Sequence, residues 1–393
     1  MKKLRIGLLW HSLRAGNLGV GALTLGNMAI IQDVADGMGI DIQFVVLSMR
    51  EASTKPIADG AEQYEIDTKR LLSPSGFARQ VENLDVVVDI GAGDSFADIY
   101  GWKRFMFLWL TKRITIAKNR PLILAPQTIG PFTSQPYRAL AASVMDKSEA
   151  VVARDEQSLA AIGELSPKAN SSLAVDVAFK LPFEQRGTDT AEGRSIKVGI
   201  NASGLLCQQA ESGQNRFGLS FDYLQLQRDL LRYFTDRGDC EVHLVTHANS
   251  LGDAGDDDGT WADRLAREFP KAIRVPNFDG PSEAKSYISG LDFVVAGRMH
   301  ACIAAFSSKT AVVPISYSRK FSGLFTLLSY PYYTPMHGVT QDEILQLVRT
   351  NFENDRAAMV VAEEKALERV DELLEPYRDV LRQTFATARE GSR

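Results

Sequence analysis

An arginine and a histidine follow a short apolar run in the second half of the chain. Phe293 to Ala296 is predicted to be a buried strand that ends at a glycine, and Arg298 and His300 come next, where a small-residue helix is predicted to begin. Backbone N–H groups at a helix start attract anions, and an arginine adds a planar fork that fits phosphate or carboxylate. The pattern predicts an anion clamp with a proton donor beside it. The alternative is an arginine paired with a carboxylate and a histidine held in the wall of the sheet.

Glycines and a carboxylate follow another predicted strand in the first half. The run Leu84 to Ile90 is apolar apart from two aspartates, and it leads directly into GAGDSFAD. Gly91 and Gly93 open space at the end of this strand, and Asp94 places a carboxylate beside that space. An aspartate in this position is either a functional carboxylate or the N-cap of the following helix.

Two further predicted strands of the first half also end in polar residues. One of them, 121–125, leads into PQTIGP with Gln127, and the other, 150–153, leads into Arg154 and Asp155. The two charged residues either pair with each other, with Asp155 capping the next helix, or bind a ligand. Because the carboxyl ends of parallel strands meet at one edge of a sheet, we expect these residues to share a ligand-binding edge with Asp94.

No metal-ligand constellation is visible in the sequence. His243 and His247 are four residues apart, but they fall in or just after a predicted strand, where they do not share one face as metal ligands on a helix would. His247, at the end of that strand, is predicted to face a ligand cleft. The acidic stretch 252–259, GDAGDDDG, lacks the spacing and the closing glutamate of an EF-hand, so we interpret it as a solvated loop rather than a Ca²⁺ site.

Strands and helices alternate along most of the chain, which predicts an α/β protein with parallel sheets. The first domain is predicted to span residues 1–181 and the second residues 196–340. The linker between them, 182–195, is rich in Gly, Thr and charge and has no apolar periodicity. Residues 341–393 are predicted to form helices long enough to pack back across the first domain.

Composition and charge argue against several classes of protein. The 393 residues carry a formal charge of -5 with both signs interspersed, which gives no basic footprint for nucleic acid. Three cysteines without a CxxC motif predict neither a disulfide framework nor a zinc site, and they favour a reducing cytoplasm. No uninterrupted apolar stretch approaches the roughly 18 residues that are needed to cross a bilayer.

A segment that follows Asp98 mixes aromatic and basic residues. Phe105 and Trp109 alternate with cations such as Lys112 and Arg113. Helices that lie on membrane surfaces and helices packed in a domain interior both show this pattern. We favour packing, and peripheral contact with the inner face of a membrane is the alternative.

Taken together, the motifs at the strand ends resemble those of the polysaccharide pyruvyl transferase family. The resemblance extends from the first glycine loop to about Phe325, and it is carried by NLGVGA, DIGAGDSFAD, APQTIGPF, VVARDEQS, VDVAF, GRMHACIAAF and SYSRKFSG. It implies two Rossmann-like parallel-sheet domains that face a cleft, as in GT-B glycosyltransferases, with phosphoenolpyruvate as the donor. The implied acceptor is a sugar diol of a cell-surface or exopolysaccharide precursor, which becomes a cyclic pyruvate ketal as phosphate is released.

The chain departs from the family pattern in three places. Val20 stands where many members have an Asp in the first loop. The first glycine triplet contains Ala92, and the family's Gly-x-Pro before the last strand falls on Lys309 and Ala311. These departures leave the expected fold unchanged, but they affect the prediction of which acceptor is used and of whether the protein is fully active.

Pyruvyl transfer needs a proton for C3 of the enol phosphate, a base for the acceptor hydroxyl, and cations for the donor's phosphate and carboxylate. We expect Arg298 to hold the donor, with Arg154 or Lys320 as a second cation. His300 is the candidate general acid, and Asp94 is the candidate base or acceptor-orienting carboxylate. The predicted substrate-binding set also includes Gly91, Gly93, Gln127 and His247. No metal and no cofactor beyond phosphoenolpyruvate as co-substrate is expected.

Two other functions remain open at this point. A GT-B glycosyltransferase that uses a sugar nucleotide would share the architecture and an anion site in the second domain. A non-catalytic glycan-binding protein of the same fold would tolerate loss of Arg298 or His300. The expected partners are phosphoenolpyruvate and a glycan or lipid-linked oligosaccharide, with no nucleic acid.

Overall fold

The computed structural model describes residues 3–14, 16–50, 56–187, 193–249 and 256–391. The chain forms two compact units. The first unit consists of Met1–Ala15, Leu23–Lys180 and Val370–Arg393, and the second of Gly16–Ala22 and Leu181–Arg369. The sequence did not predict that residues 16–22 group with the second half of the chain. Part of the predicted linker, 188–192, lies outside the described residues.

The first unit is built on a seven-stranded parallel sheet. Its strands are β1 (Leu4–Leu9), β2 (Ile42–Ser48), β3 (Glu62–Glu65), β4 (Val86–Asp89), β5 (Leu122–Gln127), β6 (Ala150–Ala153) and β7 (Ser171–Leu173). Their spatial order is β3-β2-β1-β4-β5-β6-β7. The order reverses between β1 and β4, which is where open sheets of this kind hold ligands.

Helices connect these strands. They are α1 (Leu18–Gly37), α2 (Thr68–Leu72), α3 (Phe77–Glu82), α4 (Trp102–Ala117), α5 (Tyr137–Met145) and α6 (Glu156–Leu165). The central strands are buried apolar runs, such as the all-buried VVVD of β4. A parallel sheet covered by helices on both faces requires such runs.

The second unit repeats this plan with five parallel strands. They are β8 (Ile196–Asn201), β9 (Cys240–Leu244), β10 (Ile273–Arg274), β11 (Phe293–Ala296) and β12 (Val312–Pro314), in the spatial order β10-β9-β8-β11-β12. Its helices are α7 (Gly204–Glu211), α8 (Tyr223–Asp236), α9 (Asp258–Glu268), α10 (Pro281–Ile288), α11 (Met299–Ser307), α12 (Arg319–Leu327) and α13 (Gln341–Thr350). Here the order reverses between β8 and β11.

The C-terminal part of the chain is almost continuously helical. A π-helical turn, Asn351–Asp355, joins α13 to the long helix α14 (Arg356–Gly391). Residues of α14 up to Arg369 group with the second unit, and those from Val370 onward group with the first. The helical character predicted for 341–393 therefore agrees with the described residues.

The predicted fold class, α/β with two Rossmann-like parallel sheets, is confirmed. The sequence missed the edge strands β3 and β7, whose EQYE and SSL carry no buried apolar run. Edge strands face solvent on one side, so their sequences lack the strong apolar signal of central strands.

The aromatic and basic helix α4 is packed into the first unit. Phe105 is buried, and the indole N–H of Trp109 donates to the carbonyl of Leu140 at 3.0 Å. Lys112, one of the cations of this segment, is fully buried and pairs with the buried carboxylate of Asp89 at 2.8 Å. These contacts support the packing interpretation for this helix.

Among the described residues, α1 alone is long and apolar enough to cross a membrane. Buried positions make up 67% of its most apolar 18-residue window. This is the burial expected of a core helix, and its length and composition by themselves are weak evidence for a span.

Candidate functional site

The strongest polar cluster of the second unit surrounds Asp258, the first residue of α9. Its carboxylate is 1% exposed and receives two hydrogen bonds from Arg298, from Nε at 3.0 Å and from Nη2 at 2.8 Å. Arg298 is the second residue after β11 and the N-cap residue of α11. The sequence alternative of an arginine paired with a carboxylate is therefore realised.

Asp258 also accepts from three other segments at the carboxyl edge of the second sheet. The donors are Nδ2 of Asn201 at 3.1 Å, the N–H of Gly204 at 2.8 Å, the N–H of His247 at 3.0 Å and the N–H of Ala248 at 3.1 Å. One buried carboxylate thus ties together the ends of β8, β9 and β11. Because the carboxylate of Asp258 accepts hydrogen bonds from Arg298 and from four further donors, the cost of burying its charge is offset.

A second carboxylate also contacts Arg298. An oxygen of Asp256 lies 2.5 Å from Nη2. Burial opposes the charge of Arg298, but Asp258 and Asp256 outweigh this effect and raise the pKa of its guanidinium above the ordinary value. The side-chain hydrogen bonds of Arg298 to these two aspartates use Nε and Nη2.

The acidic stretch around 252–259 is not simply a solvated loop. Residues 251–255 lie outside the described part, but Asp257 caps α9 by accepting from the N–H groups of Gly259 and Thr260. Asp256 and Asp258 orient Arg298 as described above. Loop composition alone did not distinguish these roles, because Asp is common in solvated loops and at helix starts alike.

His300 lies in the first turn of α11 and is partly buried. Its ring packs against Gly19, in the first turn of α1, so closely that a methyl group at Gly19 would overlap Nδ1. Residues 16–22 belong to the same unit as His300. The first glycine loop therefore contributes close packing against His300.

His247, which the sequence predicted to face a ligand, is buried just after β9. It is 2% exposed, and its Nε2 has no hydrogen-bond partner among the described residues. Burial, followed by the nearby charge of His300, lowers the pKa of His247 to about 3. The imidazole of His247 is accordingly neutral at physiological pH.

Two serines at the same sheet edge have unsatisfied hydroxyl groups. Ser203, between β8 and α7, and Ser316, after β12, are both buried, and neither Oγ has a hydrogen-bond partner among the described residues. Buried polar atoms are normally hydrogen-bonded, so these hydroxyls can be satisfied by a bound ligand. Lys320 lies in the first turn of α12, which follows the same strand.

In the first unit, a left-handed turn follows β4. Gly91, Ala92 and Gly93 all have positive φ, at 53°, 50° and 89°. A methyl group at Gly91 would overlap Oε1 of Gln127. Gln127 is fully buried and its Nε2 donates to the carbonyl of Asp89 at 2.9 Å. The sequence predicted that Gln127 binds substrate; in the structure its buried side chain also supports this turn from inside the sheet.

Asp94 follows the turn and is partly buried. The hydroxyl of Tyr100 donates to its Oδ2 at 2.9 Å. Asp94 does not cap the next long helix, since the N-cap residue of α4 is Gly101. The N-cap interpretation is therefore wrong for this residue. Its neighbour Asp98 accepts from the hydroxyl of Thr133 at 2.7 Å and so has a structural role.

Arg154 is held by partners that the sequence did not predict. Its Nη1 donates to Asp176 at 2.7 Å and its Nε to the hydroxyl of Thr128 at 3.0 Å. Asp155 does not pair with Arg154; it caps α6 by accepting from the N–H of Ser158. Both Arg154 and Asp176 are buried, so this ion pair fixes the edge of the first sheet.

These strand-end motifs agree with a comparison against family models. The model described as "Polysaccharide pyruvyl transferase" matches residues 17–319, more than three quarters of the 393-residue chain. The chain belongs to the polysaccharide pyruvyl transferase family. Membership in this family makes it a transferase of polysaccharide biosynthesis.

Solved structures with the same fold belong to other enzymes. A UDP-N-acetylglucosamine 2-epimerase is 11% identical with a TM-score of 0.58, and the match covers 96% of this chain and 97% of that chain. An alpha,alpha-trehalose-phosphate synthase (UDP-forming) from Burkholderia vietnamiensis is 9% identical with a TM-score of 0.51, covering 99% of this chain and 100% of that chain. These similarities concern the fold alone, and they confirm the GT-B-like class.

Two departures of this pyruvyl transferase family member fall on strained backbone. Ala92 and Lys309, two of the departures that the sequence analysis noted from the expected glycine pattern, both have positive φ, at 50° and 61°. A left-handed conformation costs a non-glycine residue about 1 to 2 kcal/mol. The substitutions therefore cost local stability, and the backbone keeps the conformation that glycine would favour.

Several site residues escaped the sequence analysis. Asn201 and Asp258 were not predicted, although each has a signal: Asn201 ends a buried strand, and Asp258 lies at a helix start in an acidic run. Asp176 was quoted only as part of a family motif. Among the described residues, no group of three His, Cys, Asp or Glu side chains is arranged to hold a metal ion.

Proposed function

We propose that this protein transfers the pyruvyl group of phosphoenolpyruvate to a sugar diol of a cell-surface or exopolysaccharide precursor. The observation that carries the proposal is the position of Arg298 and His300 at the start of α11, where the strand order of the second sheet reverses. Such a point is the usual ligand site of an open parallel sheet. Family membership supports the same reaction.

The proposed reaction joins both acceptor hydroxyls to C2 of phosphoenolpyruvate. The first hydroxyl oxygen bonds to C2 while C3 takes up a proton and becomes a methyl group. The second hydroxyl oxygen then bonds to C2 as the bond from C2 to the phosphate oxygen breaks. The two hydroxyl protons are balanced by the proton gained at C3 and the proton that leaves with phosphate.

In this proposal, the second unit binds the donor. The guanidinium of Arg298 and the N–H groups at the start of α11 would hold an anionic group of the donor. Ser203 and Ser316 would satisfy their buried hydroxyls on the same ligand. Asp256 and Asp258 place two negative charges against one guanidinium, so Arg298 needs Lys320 or helix N–H groups to attract a dianionic donor.

His300 is the proposed general acid that protonates C3. It lies two residues after Arg298, at a helix start, where an anion held by Arg298 would favour the imidazolium form. His247 is a poor alternative, because burial and the charge of His300 lower its pKa to about 3.

Asp94 is the proposed base or acceptor-orienting carboxylate of the first unit. Its Oδ2 accepts from Tyr100, and the left-handed turn before it fixes its backbone. Arg154 would bring little net positive charge to the donor, since Asp176 already neutralises it.

The proposed partners are phosphoenolpyruvate and a glycan or lipid-linked oligosaccharide, and the proposed location is the cytoplasm. The test is phosphate release from phosphoenolpyruvate in the presence of a panel of glycan acceptors, with mass spectrometry of the product. The expected product gains a ketal-linked pyruvyl group. Strong thermal stabilisation by UDP or GDP, without phosphate release from phosphoenolpyruvate, would favour a sugar-nucleotide enzyme instead.

Replacing Arg298 tests donor binding directly. Losing a buried charged hydrogen-bond partner costs about 2 to 5 kcal/mol, so Arg298→Ala should weaken phosphoenolpyruvate binding many-fold in calorimetry. Because this change also leaves Asp258 buried without its cation, Arg298→Lys is the control that keeps the charge. Arg298→Lys should fold better than Arg298→Ala and still bind the donor weakly, and unchanged affinity in both variants would contradict the proposal.

A further inference from the structure

Exposed apolar side chains are concentrated in one segment of the first unit. Among the described residues, seven large hydrophobic side chains are exposed, and three of them fall within four positions. Ile99 is 61% exposed, Tyr100 44% and Trp102 47%. Scattered single exposures are normal on a protein surface, but a contiguous group of this kind marks an interaction site.

Two cations complete this segment. Lys103 and Arg104 are both exposed, and residues 99–104 contain no acidic side chain. The guanidinium of Arg104 lies 5.4 Å from the ring centroid of Tyr100 and donates to Oγ of Ser95 at 2.6 Å. The segment is therefore locally positive on a chain whose formal charge is -5.

The segment is anchored to a rigid part of the fold. The ring of Trp102 packs edge-on against Tyr137, with ring centroids 5.3 Å apart, although nearly half of its surface is exposed. Phe105, one turn further along α4, is buried in the core. The exposed side chains are thus held in place at the start of a packed helix.

We infer that residues 99–104, which we call the docking segment, bind the surface of an anionic lipid bilayer. Trp and Tyr partition to the membrane interface, an aliphatic side chain inserts among acyl chains, and Lys and Arg attract anionic headgroups. Membrane contact, which the sequence analysis considered for the aromatic and basic helix, is therefore assigned here to the exposed residues that precede the buried part of α4. Ile99 favours a bilayer over a sugar as the occupant, because sugar stacking uses aromatic faces and gains little from an aliphatic side chain.

The docking segment adjoins the candidate base. Tyr100, within the segment, donates to Asp94 at 2.9 Å, so a docked protein would hold Asp94 near the lipid headgroups. Delivery of a lipid-linked acceptor to Asp94 rests on the proposed function. Docking itself does not, and it is measured without phosphoenolpyruvate or glycan.

Tryptophan fluorescence gives a specific readout. The chain has four tryptophans, of which Trp10 and Trp261 are buried and Trp109 is partly buried. Trp102 is the exposed one, so a blue shift of emission on addition of vesicles reports mainly its transfer to an apolar environment. The full chain is titrated with vesicles of phosphatidylcholine and phosphatidylglycerol, and with pure phosphatidylcholine vesicles as the neutral reference.

The expected result is a blue shift and co-sedimentation with the anionic vesicles. Ile99→Glu and Trp102→Glu should each lower the partition coefficient about tenfold. Lys103→Gln should lower it about fivefold, with less effect at high salt. Leu72→Glu is the matched control, because Leu72 is an apolar side chain of the same unit that is 69% exposed.

Ile99→Glu keeps the test valid if Trp102→Glu misfolds. Trp102 packs on Tyr137, whereas Ile99 is more exposed, so its replacement should disturb the fold less. No binding to anionic vesicles would overturn the inference. Binding that survives both glutamate variants, or that Leu72→Glu abolishes equally, would also overturn it. A shift of Trp102 emission with soluble oligosaccharides but not with vesicles would identify a sugar platform and equally refute membrane docking.

Discussion

The carboxylate of Asp258 and the guanidinium of Arg298 are joined by two hydrogen bonds of 3.0 and 2.8 Å in the interior of the second unit. Asp258 comes from the start of α9, and Arg298 comes from the turn after β11. Their pairing fixes the direction of Arg298 and, through it, the start of the helix that carries His300. A second carboxylate, Asp256, contacts the same guanidinium from a more exposed position.

The two aspartates allow a matched pair of substitutions with opposite expected results. Asp258→Asn removes a buried charge that compensates Arg298, so the free energy of unfolding should fall by about 3 to 5 kcal/mol and donor affinity should fall with it. Asp256→Asn removes a charge that competes with the donor, so stability should change by less than about 1 kcal/mol and donor affinity should rise several-fold. Urea unfolding and calorimetry measure both; equal losses of affinity in the two variants would contradict the assigned roles.

Replacing His300 separates proton transfer from binding. His300→Gln keeps one hydrogen-bond donor, so KM should change little while kcat falls by about 10² to 10⁴. An essential imidazolium also makes kcat fall as pH rises, and this alkaline limb should disappear in the variant. His337→Gln, at an exposed position, is the control that should leave both parameters unchanged. Near-normal kcat with the alkaline limb retained would exclude His300 as the acid.

Gly19 and Gly37 provide a test of the packing against His300. A methyl group at Gly19 would overlap Nδ1 of His300, so Gly19→Ala should displace the ring and lower kcat about tenfold to a hundredfold with the fold retained. Gly37, at the other end of the same helix, has no atoms within 4 Å of such a methyl group. Gly37→Ala should therefore stabilise the protein by about 0.5 to 1 kcal/mol without a loss of turnover. Identical kinetics for Gly19→Ala and the wild type would show that the contact has no role in turnover.

Ala92 tests the cost of a family departure. Its φ is 50°, so Ala92→Gly relieves left-handed strain and should raise the free energy of unfolding by up to about 1 kcal/mol, after the entropy cost of glycine. Gly39→Ala is the reverse control: Gly39 has a φ of 63° with open space around it, so alanine should destabilise by about 1 kcal/mol through strain alone. A lower thermal midpoint for Ala92→Gly would show that the alanine methyl contributes packing that outweighs its strain.

His11 makes stability depend on pH. Burial lowers its pKa to about 3, and the neutral ring bridges the carbonyl of Leu9 and the amide of Asn27. The unfolded chain binds this proton at a pKa near 6.5, so the stabilisation is fully present above pH 6.5 and is lost progressively as pH falls from 6.5 toward 3. At pH 5 the loss should be about 2 kcal/mol. His247, with its pKa also near 3, adds a loss in the same pH window.

Urea unfolding between pH 7 and pH 5 measures this effect. His11→Gln should reduce the dependence of stability on pH, even if its stability at pH 7 is lower. His337→Gln should leave the pH dependence as it is, because His337 is exposed. Equal pH dependence in His11→Gln and the wild type would mean that the ring is not held neutral in the folded protein.

The sequence located strand ends more reliably than it assigned roles to the residues there. The predicted strands Ala150–Ala153 and Phe293–Ala296 match β6 and β11 in both bounds, because buried parallel strands are continuous apolar runs. The turn residues after them were also found, since Gly, Arg and Asp interrupt those runs abruptly. What each side chain contacts was predicted less well: Arg154 pairs with Asp176 instead of Asp155, and Gln127 is buried.

By itself, the sequence determined the α/β class, the two parallel sheets and the position of Arg298 and His300 at a helix start, because apolar periodicity and turn residues are local signals. The family was recognised separately, from the resemblance of the strand-end motifs. Only the tertiary structure decided that Asp258 orients Arg298 and that Gly19 packs on His300. These contacts join positions 40 and 281 residues apart in the sequence, and no local pattern specifies which distant carboxylate or glycine will meet a given side chain. Burial decides whether a polar residue at a strand end can bind a ligand. The same residue type can contact a ligand where it is exposed, and it hydrogen-bonds to other parts of the protein where it is buried.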